Sequence, residues 1–269
     1  MISFIDLRGV GKRMNKPIIW SYGGGTQSIA LAILVRQERL PRPDRIVIAD
    51  TSWEFKKTWE YTEQHVAPLL AEVGLKIEIA SHALSKVDLY SLKGEILIPA
   101  YDVRRTNKKG EHAKLPTFCS NEWKTRVVRR HIGGAKGNPG GIRMWLGMSL
   151  DEVERLKHSG EDWCENYWPL CFDVKMTRGG CAQLVRDYGL PEAIKSRCKM
   201  CPNQNDDGWI EIKQEPEEWK EAVRIDNQIF ASHQVRLHKS GKPLDEVELV
   251  PRGEDEGGLF GCDSGYCWT

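Results

Sequence analysis

The sequence predicts an α/β protein, a doubly wound and mainly parallel sheet carrying a cysteine-rich C-terminal extension. Two observations predict it. Short β-branched runs alternate with longer amphipathic ones through the first half of the chain, the pattern of strand-helix-strand units. All eight cysteines lie at or beyond position 119, so whatever chemistry they carry belongs to the later part of the chain. The expected division is an α/β core over 1–160 and a helical or irregular extension over 161–269 packed on it.

PIIW (17–20) reads as a strand and IALAILVRQ (29–37) as a helix, joined by SYGGGTQS (21–28). Three adjacent glycines either make a tight turn, where positive φ costs them nothing, or let backbone N–H groups and a helix N-terminus approach an anion. RIVIAD (45–50) reads as a buried parallel strand ending in an aspartate. Residues 51–74 read as one helix, with apolar or aromatic positions near 55, 59, 62, 66, 69 and 70 and Gly74 at its end. LKIEIASH (75–82) alternates as a strand. Residues 101–118 read as a polar loop before a helix starting near Asn121, and GGAKGNPGG (133–141) as a connector. IRMWLGM (142–148) is a further strand. SLDEVERLKHSG is a helix capped by Ser149, with Glu152 completing a capping box. EPEEWKEAVRIDNQIFAS (215–232) is helical, and the tail after 238 is expected to have little regular structure.

Composition narrows the class. With 269 residues, 40% hydrophobic, the chain can bury a full core. No apolar run is long enough to cross a bilayer, and the N-terminus lacks the basic-then-apolar order of a signal peptide, so the expected location is cytoplasmic with no membrane partner. The net charge of +1 gives no overall case for nucleic acid. Two local segments do, VRRTNKKGEHAK (103–114) and KTRVVRRH (124–131); they are either solvated faces or a lining for phosphate or a polyanion. Eight cysteines in such a chain point to metal ligation or redox chemistry. Cys198 and Cys201 have the spacing by which two thiolates share one metal from a single turn. Cys164 and Cys171 read as buried apolar cysteines.

The glycine turn lacks the lysine of a Walker loop and the spacing of the dinucleotide fingerprint. It resembles the pyrophosphate loop (PP-loop) of ATP pyrophosphatases, Ser-Gly-Gly-x-Asp-Ser, with Gly24, Gly25 and Ser28 matching, Gly23 in place of the first serine, Ser21 two residues earlier, and Gln27 in place of the aspartate. Glutamine there is similar to the branch containing phosphoadenosine-phosphosulfate (PAPS) reductases. FCSNEWKTRVVRR resembles that family's Cys-x-x-x-x-Lys element through Cys119 and Lys124. LGMSLDEVERLK resembles its Gly-x-x-x-x-Glu-x-x-Arg element through Gly147, Glu152 and Arg155. Pro169-Leu170, Met176-Thr177-Arg178, Cys181 and KSRCKMCP (195–202) are similar to segments of its phage and bacterial members, and the likeness runs from about 17 to 230.

The resemblance implies an adenine nucleotide alpha hydrolase-like fold and an enzyme that binds ATP or a PAPS-type adenine nucleotide. It would activate an acceptor by adenylylation, for sulfur transfer or for nucleic-acid or nucleotide modification, with a nucleic acid or a sulfur or electron donor protein as partner. Ser21, Gly23, Gly24, Gly25, Gln27 and Ser28 would hold the nucleotide. Asp50 would accept from ribose or hold magnesium, or else cap the following helix. Lys124 and Arg155 would neutralise developing charge. Cys119, Cys181, Cys198 and Cys201 would hold an iron–sulfur cluster or zinc. Cys262 and Cys267 would be the reactive thiols of a sulfonucleotide reductase, or incidental, because the family's Glu-Cys-Gly-Leu-His segment is missing from this tail. A nucleotide-binding regulatory module without turnover is the reading from another class.

Overall fold

The computed structural model describes residues 16–81, 89–193 and 195–251. Its centre is a five-stranded, wholly parallel sheet. In chain order come β1 (Ile18–Ser21), α1 (Thr26–Arg36), β2 (Arg45–Asp50), α2 (Lys56–Tyr61), α3 (Ala67–Ala71) and β3 (Ile77–Ser81). β4 (Tyr101–Thr106) and β5 (His112–Lys114) come next, then α4 (Arg126–His131), α5 (Gly134–Gly137), β6 (Ile142–Leu146) and β7 (Cys164–Tyr167). The chain continues through α6 (Pro169–Phe172), α7 (Arg178–Asp187), α8 (Asp206–Lys213), α9 (Pro216–His233) and β8 (Val235–Arg236). The main sheet has the order β3-β2-β1-β6-β7. From β1 the chain builds outward through β2 and β3 on one side, then returns to build β6 and β7 on the other. β1 and β6 therefore flank the switch point, where open α/β sheets bind ligands at the strands' carboxyl ends.

Sequence explains the packing of this layer. The interior of β2 is buried on both faces, as its unbroken IVIA run requires. α1 is apolar nearly all round and is buried from Ser28 to Val35, because it lies beneath α7 and beside α3 as well as under the sheet. Full burial of Ile29, Leu31, Ile33 and Leu34 contributes about 1.5–3 kcal/mol per side chain. The helix expected over 51–74 begins only at Lys56 and carries a π turn at Thr62–Val66. Pro68 accounts for the turn: it brings no N–H and its ring crowds the carbonyl four residues back, so the ladder widens just upstream.

A second core lies beside the first. β5-β4-β8 form a small antiparallel sheet, and α9 buries Ala222, Ile225 and Ile229 against Trp209, Ile98 and Leu237. One expectation is corrected here. Residues 101–118 contain a β-hairpin, its turn set by Asn107 and Gly110, the latter at φ +79°. The described chain after 238 has little regular structure, a 3-10 helix at Leu244–Glu246, yet it is anchored, with Leu244 fully buried. Buried Asp226 accepts the N–H groups of Leu237 and Leu244 at 2.7 and 3.1 Å. The two cores do not part at residue 160. β7 and α7 belong with the main sheet, whereas residues 89–100 pack with 200–244.

Candidate active site

A cavity opens at the switch point. Ser21, Gly23, Gly25, Thr26, Gln27 and Ser28 line it from the end of β1, and Leu146, Gly147 and Met148 from the end of β6. Gly24 turns the chain at φ +73°, and a Cβ there would meet Thr58 Cγ2 at 2.5 Å, so only glycine fits. Ser28 Oγ accepts the Gly23 N–H at 3.0 Å and closes the loop on itself. Gly25 is the N-cap of α1, and no side chain caps the helix. The first-turn N–H groups thus face the cavity without a side-chain acceptor. A Cβ on Gly147 would lie 3.2 Å from Ser28 Oγ and 3.5 Å from Ser28 N, so glycine at 147 keeps the space above that N–H clear.

The lining is cationic. Among the described residues, Arg129, Arg155, Arg178 and Lys195 surround it against one carboxylate, Glu152. That carboxylate is itself engaged. Glu152 Oε2 accepts from Gln27 Nε2 at 3.0 Å, from Ser149 Oγ at 3.1 Å and from Ser149 N at 3.3 Å. The last bond is half of the expected capping box, although the segment it caps, Leu150–Arg155, is a 3-10 helix. Glu152 Oε1 pairs with Arg155. Arg129 is steadied by the Ser159 carbonyl at 2.9 Å and by Glu161 at 3.8 Å. The positive helix end and these cations make a site suited to a polyphosphate.

Of the residues expected to hold a nucleotide, Ser21, Gly23, Gly25, Gln27 and Ser28 line the cavity, with Gly24 making the turn between them. Arg155 lines it as well. Asp50 does not. Its Oδ1 accepts the Ser52 N–H at 2.7 Å in a tight turn after β2, where Ser52 has φ +58°. Lys124 is buried and pairs with Glu54 at 3.6 Å. Glu54 also accepts from the lining residue Ser196, through its Oγ, at 2.6 Å, so Lys124 stands behind the lining, with Glu54 between. The helix explains why: Thr125, Val128 and Arg129 share the face turned to the cavity. Arg129 belongs to the basic segment 124–131 that the sequence offers as a phosphate lining. Arg178, Lys195 and Ser196 are not singled out individually, although all three sit in segments that carry the family likeness.

The four cysteines expected to share a metal are not brought together. Cys198 and Cys201 do occupy one turn, with Cys201 N donating to Cys198 O at 3.0 Å. Cys119 and Cys198 pack on the second core. Burial pushes the Cys198 thiol up to about 12, Lys124 opposes this, and Glu54 and Cys119 raise it further. Cys181, in contrast, is fully buried in the main core on α7, its thiol also pushed up to about 12 by burial. The quartet is corrected on this ground: Cys181 is a packing residue. Among the described residues no group of three or more His, Cys, Asp or Glu could hold a metal ion. Cys164 and Cys171 are buried, as expected. Cys262 and Cys267 lie outside the described residues. No helix among the described residues is long and apolar enough to cross a membrane.

No protein-family model and no curated protein matches this chain. Among solved structures, the U34-tRNA thiolase NcsA from Methanococcus maripaludis, determined with its 4Fe-4S cluster, is similar at 15% identity. The match covers 94% of this chain and 80% of that chain with a TM-score of 0.38. A likeness so loose says nothing about the chemistry of this site.

Proposed function

We propose that the chain is a PP-loop enzyme that binds ATP, or a related adenine nucleotide, by its phosphates and cleaves between the α- and β-phosphates to adenylylate an acceptor. One observation carries the reading: a glycine loop, an uncapped helix N-terminus and four cations meet at the β1–β6 switch point. The loop N–H groups and Ser28 would hold the phosphates. Arg129, Arg155, Arg178 and Lys195 would stabilise the negative charge that grows on the departing pyrophosphate. An acceptor oxygen attacks the α-phosphorus, the bond to the bridging oxygen breaks, and pyrophosphate leaves with the electron pair. The acceptor is a nucleic acid or a nucleotide, subsequently open to attack by sulfur. Incubation with ATP and total RNA or DNA, followed by separation of the nucleotides, tests this. Pyrophosphate formed only with the nucleic acid present, its AMP carried on that acceptor or released from it, supports it; ADP and phosphate, or unchanged ATP with no binding, refute it.

A second reading is a nucleotide-binding module without turnover. It is favoured by Gln27, which stands where the resembled loop has an aspartate. ATP binding with no product under anaerobic conditions would select it. Sulfite release from PAPS with a thiol donor would instead select a sulfonucleotide reductase working through Cys262 or Cys267.

A further inference from the structure

The β4–β5 hairpin concentrates charge that the cavity does not use. Over 101–114 stand five cations, Arg104, Arg105, Lys108, Lys109 and Lys114, against two carboxylates, Asp102 and Glu111. With a net charge of +1 over the whole chain, this excess is a local feature. All five cations are exposed. Asp102 is held by Arg104, with both contacts at 3.0 Å, and Glu111 accepts from Asn107 Nδ2 at 2.9 Å.

The turn is built to present the lysines. Asn107 Oδ1 accepts the N–H groups of Lys109 and Glu111 at 2.9 and 3.0 Å. Just after β5, the Phe118 ring is 49% exposed. The helical segment beyond it leads to Arg129 on the cavity wall. The eleven steps from 118 to 129 span roughly 16 Å at about 1.5 Å each.

We propose that this hairpin and Phe118 form a docking surface for single-stranded nucleic acid, the cations tracking its phosphates and the ring stacking on a base. The proposal rests on the reading of the cavity as an acceptor-activating site and names the acceptor's class. An exposed ring close in sequence to Lys114 and the basic hairpin suits a strand with open base faces. A lone large apolar residue gives too little apolar face for a membrane surface.

Fluorescence anisotropy of a short labelled single strand of mixed sequence, titrated with the full chain between about 50 and 200 mM salt, tests it. Wild type binds with a steep salt dependence. Arg105→Ala/Lys108→Ala/Lys109→Ala weakens binding at least about tenfold and lowers the slope by about 2, since each lost contact to a single strand accounts for about 0.7. Phe118→Ala weakens binding about tenfold across sequences. ATP binding is unchanged in both variants, and Arg155→Ala weakens ATP binding while keeping the strand, so the two readings fail separately. Wild type that binds ATP but no strand overturns the inference. So do an unchanged slope in the triple variant, and binding to anionic vesicles in place of the strand.

Discussion

Gln27 donates its side-chain amide to Glu152 at 3.0 Å, joining the first turn of α1 to the capped turn beyond β6 across the switch point. Glu152 in turn holds Arg155 on the cavity wall. The glutamine that stands where the PP-loop pattern has an aspartate is thus matched to a carboxylate, and an acidic residue there would oppose it at close range.

Gln27→Glu is therefore expected to weaken ATP binding about tenfold or more, a loss of about 1.4 kcal/mol. Glu152→Gln added to it restores part of the loss, because an amide again faces a carboxylate. Calorimetric titration of the two single variants and the double variant measures the coupling. Purely additive losses would show that the pair does not position the site.

The loop glycines should differ from one another. Gly24→Ala meets Thr58 at a positive φ and is expected to cost about 1–3 kcal/mol. Gly25→Ala has φ −94° and finds only an ordinary contact, Ser196 Cβ at 3.7 Å, so it should cost under about 1 kcal/mol. Urea unfolding of both variants checks the contrast. Equal midpoints would remove the steric account of the turn.

Cys181→Ala should lower stability to urea by about 1–2 kcal/mol, the effect of a small cavity in the main core under α7. It should leave any iron or zinc content unchanged. Loss of metal with stability intact would return Cys181 to the role the sequence suggested.

Acid should loosen the second core. His238 is buried against Asp206 and Ser240, with Lys239 and Asp226 nearby. Burial holds its pKa below the ordinary value, outweighing the pull of Asp206. The unfolded chain then binds the proton more readily, so stability is complete above about pH 6.5 and falls as pH drops through that value. His238→Gln should flatten the profile between about pH 7 and 5. A profile identical to wild type would place the titrating group elsewhere.

Much of this fold is legible in the sequence. The buried runs of β1, β2 and β6 and the all-round apolar α1 announce a parallel sheet, and the glycine turn lies at its switch point. The β4–β5 hairpin is not legible, because its strands are short, half-exposed and basic. β7 is hidden for a similar reason: CENY has one buried residue and pairs only at the sheet edge. The loop half of the site is local and can be read from one segment. The cationic half comes from Arg129, Arg155, Arg178 and Lys195, contributed by separate segments that only folding brings together.

The most direct test of the central claim is calorimetric titration of the full chain with ATP, AMP and adenosine in turn. A site made of loop N–H groups and four cations binds through phosphate, so ATP should bind at least about tenfold tighter than AMP, and adenosine weakest of all. Arg178→Ala and Lys195→Ala should each narrow that gap. Adenosine binding as tightly as ATP, or no binding of ATP at all, would contradict the account.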